Sequence, residues 1–218
     1  QSLVDSINVP LLTGMPSINL DTRQTWNAAG FFIPEGKTVQ EYRKIHLVPF
    51  GEAIPFDTIF PSLRKLDFGQ ANWDEGTESV VFTSDSVPPF GTVICFESIF
   101  PDLIRKFVKK GSEFIVVITN DVWFGPSPAP QQHAMISIFR AIECHRPVVR
   151  CANTGISMII DQFGRIQKQT GTFERTTLVG TITPDRRHTF YERFGNLFSV
   201  GSFLFTITCM MLSLKKRF

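Results

Sequence analysis

The run Thr92-Val93-Ile94-Cys95-Phe96-Glu97-Ser98 delivers a thiol from a short β-branched stretch to a helix-like segment. A thiol at such a corner lies near orphan backbone N–H groups, which favour the thiolate. The same N–H groups can hold the oxyanion formed when a carbonyl is attacked. The chemistry this spacing suggests is covalent acyl transfer through Cys95, and the competing reading of a lone cysteine is a small buried hydrophobe. Two further clusters carry reactive side chains. In Tyr42-Arg43-Lys44-Ile45-His46-Leu47-Val48-Pro49-Phe50-Gly51-Glu52, Lys44 ends a strand and Glu52 follows on a Pro/Gly loop. A lysine near a thiolate supports it and can stabilise a developing oxyanion; a solvated surface charge is the plainer alternative. In Thr119-Asn120-Asp121-Val122-Trp123-Phe124-Gly125, polar and aromatic residues close an apolar strand. Strand ends of this kind are where open α/β sheets place ligands, although such a loop can also be a turn with an aromatic plug.

The elements that must position these clusters follow from pattern. Residues 1–9 read as a helix, 10–14 as a strand entering a turn, and 26–33 and 39–45 as strands. Residues 46–76 form a long Pro/Gly-bearing region of the kind that is usually functional. Residues 80–83 and 91–95 read as strands. A helix over 99–110 carries Leu103, Ile104, Phe107 and Val108 on one stripe and stops at Gly111. Residues 114–118 make a strand apolar on both faces. A helix over 130–146 stops before Pro147, and strands follow at 148–151, 156–160 and 178–182. Buried strands alternating with amphipathic helices predict a layered α/β fold.

With 218 residues, 43% of them hydrophobic, the chain can build one large core. A net charge of +2 without basic tracts argues against a nucleic-acid partner. Cys95, Cys144, Cys151 and Cys209 form no CxxC pair and no zinc spacing. Cys144, on a predicted helix, and Cys209, in an apolar run, read as packing residues. The chain opens at Gln1 with no charged-then-apolar leader, so no signal peptide is expected and a C-terminal piece of a longer protein is. Residues 194–214 carry no charge and approach the span of a bilayer core. Lys215, Lys216 and Arg217 follow, which predicts a transmembrane helix with a basic cytoplasmic tail at 215–218. A buried C-terminal helix is the alternative.

These clusters, in this order, resemble the nitrilase superfamily, and their wording is similar to its bacterial apolipoprotein N-acyltransferase branch. The matching stretches are residues 44–55 (KIHLVPFGEAIP), 94–97 (ICFE), 119–125 (TNDVWFG), Gln132-His133, residues 140–143 (RAIE), Arg146-Pro147 and residues 153–156 (NTGI). The resemblance implies an αββα sandwich over residues 1–190, incomplete at its N-terminus, followed by the membrane helix at 194–214. It implies that Cys95 takes an acyl chain from a phospholipid as a thioester and passes it to the N-terminal diacylglyceryl-cysteine of an apolipoprotein. Lys44 would stabilise the oxyanion. Glu52 and Glu97 match two further active-site glutamates. Asn120, Trp123, Phe124 and Phe96 would contact the substrate. No cofactor and no metal are implied. The expected setting is the bacterial inner membrane, with a periplasmic catalytic domain working as a monomer.

The sequence departs from that pattern in places. The branch carries a general-base glutamate on a Pro-Glu motif upstream of the helix that opens this chain. Residues 1–43 hold only Glu35 and Glu41, neither in that context. Gln131 replaces a tryptophan, and Asn153-Thr154-Gly155 replaces Asn-Asn-Gly. A thiol lacking its base forgoes roughly 10²–10⁴ of assistance, so these residues alone would be inactive. The other readings are a soluble carbon–nitrogen hydrolase and an inactive membrane-anchored domain.

Overall fold

The computed structural model describes residues 1–36, 38–55, 62 and 72–215. Much of the predicted functional loop, residues 56–61 and 63–71, therefore lies outside the described residues, as do residues 216–218 of the basic tail.

Two sheets form. The first is an antiparallel meander of β1 (Leu11–Ile18), β2 (Thr25–Phe32) and β3 (Gln40–Arg43). The second has six strands in sequence order: β4 (Val81–Phe82), β5 (Phe90–Ile94), β6 (Phe114–Thr119), β7 (Val148–Ala152), β8 (Met158–Ile160) and β9 (Ile166–Gln169). Its centre, β5-β6-β7, is parallel, and the remaining pairings are antiparallel. Parallel neighbours require crossovers, and the helices α2 (Pro101–Lys109) and α3 (Ala129–Cys144) supply them. The helix α1 (Ser2–Ile7) is tied to the turn after β2 through Gln1 on the Ile33 carbonyl and Asp5 on the Glu35 N–H.

One core joins the two sheets. Phe31 of β2 meets Phe82 of β4 and Phe90 of β5 at ring separations of 5.6 and 5.0 Å. Tyr42 of β3 sets its edge against Phe107 of α2 at 5.4 Å. The apolar stripe read from the sequence, Leu103, Ile104, Phe107 and Val108, is buried. Removing a buried Phe such as Phe107 would cost about 3–5 kcal/mol, because the cavity adds to the lost transfer energy.

Several expectations are corrected. β1 does not stop at Gly14 but runs eight residues through Pro16. It pairs with β2 alone, so the missing Pro16 N–H deprives no second ladder. The helix expected from residue 99 begins at Pro101, because residues Cys95–Ile99 form a 3-10 turn. Residues 178–182 form no strand. Val179 is exposed and its carbonyl accepts from the Lys168 amine, and only Ile182 of that stretch packs against the core.

The helix expected over 194–214 starts later, at Leu197, after a short helix that ends at Phe194. The short helix α4 (Phe190–Phe194) ends at Gly195, φ 60°, and α5 (Leu197–Lys215) follows. A side chain at Gly195 would overlap the Arg105 guanidinium, so the break is built in. The 19 residues of α5 rise about 28 Å, slightly under a bilayer core of about 30 Å. Among the described residues no helix is long and apolar enough to cross a membrane. The alternative of a buried C-terminal helix fares no better, since residues 197–213 are exposed throughout.

Candidate active site around Cys95

The parallel strands β5, β6 and β7 end on the same edge of the sheet, in register. Cys95 leaves β5, and Asn120 and Asp121 leave β6. Cys95 sits in the left-handed region, φ 54°. Cβ crowding there costs a non-glycine residue roughly 1–2 kcal/mol, and such strain persists only where the surroundings enforce it. The thiol is free and partly exposed. Cys95 is thus only partly buried, with its side chain packed against the core. Cys95 opens a five-residue 3-10 segment, not the α-helix, which begins at Pro101.

Lys44 is fully buried, which removes the solvated-charge alternative. Its ammonium pairs with Glu52 Oε2 at 2.5 Å. The Glu52 carboxylate also accepts from the Val48 N–H at 2.8 Å and from the Asn27 side-chain amide at 2.9 Å. Three donors from β2, the end of β3 and the following loop thus fix one carboxylate. Asn27, which nothing in the sequence singles out, does part of this work.

Glu97 does not line the cavity. Fully buried behind Cys95, it accepts from the Ile94 N–H at 2.8 Å, the Ile45 N–H at 2.7 Å, the His46 N–H at 3.1 Å and the Tyr42 hydroxyl at 2.6 Å. Burial pushes its carboxyl above the usual range, against these hydrogen bonds. Geometrically it is a strut between the Cys95 turn and the Lys44 loop.

Cys95, Glu52, Phe96, Asn120, Trp123 and Phe124 all line one cavity of about 640 Å³. Its walls are mostly apolar, with Ile99 and Ile136 contributing. Trp123 is 83% exposed, at the mouth rather than the floor. Asn120 caps the 3-10 turn Asp121–Phe124 through the Val122 N–H. A more polar cavity of about 450 Å³ is lined by Glu41, Arg43, Thr77, Glu78 and Val80 and holds no nucleophile. Glu41 is committed to Ser17 and Arg43, and Glu35 is exposed on a turn. Neither lines the Cys95 cavity. Among the described residues no group of His, Cys, Asp and Glu could hold a metal ion.

A buried cluster beside Cys95 brings together Asp121 and His133, which the sequence offered only within matching stretches, and Arg150, which it did not offer. His133 of α3 faces Asp121 Oδ1 at 3.0 Å through Nδ1, and its Nε2 lies 3.2 Å from the Cys95 carbonyl oxygen and 3.0 Å from Ser98 Oγ. Arg150 of β7 donates to Asp121 Oδ2 at 2.8 Å. Burial would raise the Asp121 carboxyl, but the His133 hydrogen bond and the Arg150 charge outweigh it and hold the group below the usual range. One signal was available: His133, Ser137, Arg140 and Cys144 form a helical stripe on α3, and that stripe is the buried one.

A strained cysteine at the C-terminal edge of a parallel sheet, facing a cavity lined by a carboxylate that a buried lysine holds, is an arrangement suited to covalent carbonyl chemistry in an α/β protein. The family model for carbon-nitrogen hydrolases matches residues 1–190, and the chain belongs to that family. An apolipoprotein N-acyltransferase of Geobacter metallireducens is 37% identical over 201 residues, 91% of this chain and 38% of the relative. One of Chlorobaculum tepidum is 38% identical over 206 residues, 84% and 39% of the two chains. This chain spans about two fifths of the length of these curated relatives. Among solved structures, Saccharomyces cerevisiae Nit3, of the nitrilase superfamily, matches with a TM-score of 0.59 at 21% identity, over 78% of this chain and 59% of its own. An amidase from Nesterenkonia sp. matches with a TM-score of 0.59 at 15% identity, over 78% and 60%. The fold is nitrilase-like α/β.

Proposed function

We propose that this chain is the catalytic C-terminal part of an apolipoprotein N-acyltransferase. The observation that carries the reading is Cys95, held in a left-handed conformation at the wall of a large apolar cavity that also exposes the Lys44-bound Glu52. The names of the curated relatives support the same reading. An apolar cavity suits an acyl chain, since burying each CH₂ gains about 0.8 kcal/mol.

In the first half-reaction the Cys95 thiolate attacks an ester carbonyl of a phospholipid. Lys44 stabilises the oxyanion, the ester C–O bond breaks, and a lysophospholipid leaves with a proton. In the second, the α-amine of an apolipoprotein's N-terminal diacylglyceryl-cysteine attacks the thioester. The C–N bond forms, the C–S bond breaks, and the thiol is restored. Glu52 holds Lys44, and Glu97 ties the backbone just before Cys95 to the loop after Lys44. Phe96, Asn120, Trp123 and Phe124 contact the lipid substrate. The proton acceptor for the thiol is neither Glu35 nor Glu41, and this reading assigns it to the additional length of the longer relatives. No cofactor or nucleic acid takes part, and the protein works as a monomer.

The same reading places the helix α5 in lipid. Its exposed surface over residues 197–213 is mostly apolar, interrupted by Ser199, Ser202, Thr206, Thr208 and Ser213, and the hydroxyls of Thr206 and Thr208 are satisfied by the carbonyls of Ser202 and Leu204. Hydroxyls bonded back to the helix are tolerated in hydrocarbon. The terminal Lys-Lys-Arg would then face the cytoplasm of a bacterial inner membrane, with residues 1–190 on the periplasmic side.

Intact-protein mass spectrometry tests the chemistry. Full-length protein given phospholipid without acceptor is expected to gain one acyl mass, and Cys95→Ser none, because a serine hydroxyl is far less ionised than a thiol. An adduct on Cys95→Ser, or none on the wild type, would overturn the assignment.

A further inference from the structure

We propose that the buried cluster Asp121–His133–Arg150, acting with Ser98, is a positioning device that holds the Cys95 backbone carbonyl and so keeps the nucleophile in its left-handed conformation. The inference rests on the reading of Cys95 as the nucleophile and goes beyond it by naming what fixes that residue.

The Cys95 carbonyl oxygen is approached by two side-chain groups, Ser98 Oγ at 3.0 Å and His133 Nε2 at 3.2 Å, and these are 3.0 Å from each other. They form a small triangle beside Cys95, and His133 also lines the same cavity. A left-handed residue is defined by how its own peptide planes turn, so a grip on its carbonyl is a grip on its conformation. With Nε2 donating to that carbonyl, His133 Nδ1 accepts from the Arg150 guanidinium at 3.0 Å, and Asp121 beside it is held by Arg150 at 2.8 Å and by the Thr119 hydroxyl at 2.8 Å. Arg150 is anchored to the Ile156 carbonyl at 3.2 Å. Gly155 closes the cluster: a Cβ there would overlap the Asp121 carboxylate. All four polar side chains are buried.

An ion cluster of this kind is poor value if its purpose is stability alone, because apolar replacements of similar shape are often as stable or more so. Its placement under one strained peptide suits a positional role. Among the described residues, the charged and titratable groups around Cys95 include Arg150 from β7, His133 from α3, Asp121 after β6, Glu97 behind the turn, and Glu52, which lines the same cavity and pairs with Lys44.

The test uses the full-length protein and iodoacetamide, with alkylation of each cysteine followed by peptide mass spectrometry. It needs no lipid, so it stands or falls separately from the acyl donor. Cys151 is exposed and serves as a reference in the same chain. The expectation is that His133→Ala slows Cys95 alkylation relative to Cys151 by about tenfold or more, since misplacing a reacting atom by 1 Å can cost about 10²-fold. Gly155→Ala, which displaces Asp121 without altering His133, is expected to slow it in the same direction. His133→Asn, which keeps an N–H donor, is expected to recover part of the rate. If Cys95 in His133→Ala reacts within about twofold of wild type, or if Cys95 and Cys151 accelerate together because the strand ends have opened, the positioning role is wrong.

Discussion

The Tyr42 hydroxyl donates to Glu97 Oε1 at 2.6 Å, tying β3 of the small sheet to the turn that carries Cys95. Burial raises the phenol, and the neighbouring Glu97 charge raises it further, so it stays a donor at any ordinary pH. Tyr42→Phe removes one of four donors from a buried carboxylate. A stability loss of about 1.5–3 kcal/mol is expected, read by urea unfolding. Glu97→Gln should lose more, because its amide cannot accept from all four donors. A Tyr42→Phe protein as stable as wild type would show that the bond adds nothing.

Lys44 and Glu52 form a pair with one member fully buried. Lys44→Met should destabilise by about 3–5 kcal/mol, since it strands a carboxylate. Lys44→Met combined with Glu52→Gln should recover part of that loss. Acylation of Cys95 should fall by roughly 10²–10³ in both proteins, the usual effect of one lost oxyanion donor. A rate restored along with stability would remove Lys44 from the chemistry.

Asp121 has its folded-state pKa depressed by His133 and Arg150 against the effect of burial. A depressed carboxyl contributes stability above its unfolded value of about 3.9 and loses it as pH falls through the folded value. Asp121→Asn should therefore be much less stable than wild type at pH 7, and the gap should narrow steadily as pH is lowered below about 4. Unfolding free energies across that range check the slope. A gap that stays constant would mean that Asp121 is not ionised in the folded protein.

Cys144 is buried on α3, and burial, with Glu143 and Glu192 nearby, pushes its thiol up to about 12. At pH 8 it should resist iodoacetamide in the native state and react only on unfolding, while the exposed Cys151 reacts promptly. Fast native labelling of Cys144 would mean that α3 opens readily.

The parts of the site that were legible in the sequence share one property: they sit at strand ends, where an apolar run stops against a reactive residue. Cys95 after Ile94 and Asn120 after Thr119 announce themselves this way. Lys44 and Glu52 needed the family resemblance, because a strand-end lysine is usually wet. The 3-10 turn after Cys95 was hidden, since its residues suit an α-helix and only Pro101 marks the true start. The run at 178–182 misled because β-branched residues favour a strand only where a neighbour and a buried face await them. His133 and Arg150 were hidden for the opposite reason. Their burial depends on Asp121 arriving from a different strand, and that meeting is a property of the sheet's register.

Register carries a last consequence at β7. Arg150 points inward to Asp121 and Cys151 points outward. A slip of one residue would exchange them. The interior would then hold an anion without its counter-charge, an error worth about 3–5 kcal/mol. Misalignment of β7 would thus be rejected by charge before it could survive as a slightly looser packing, so the residues under the nucleophile also proofread the assembly of the sheet that carries it.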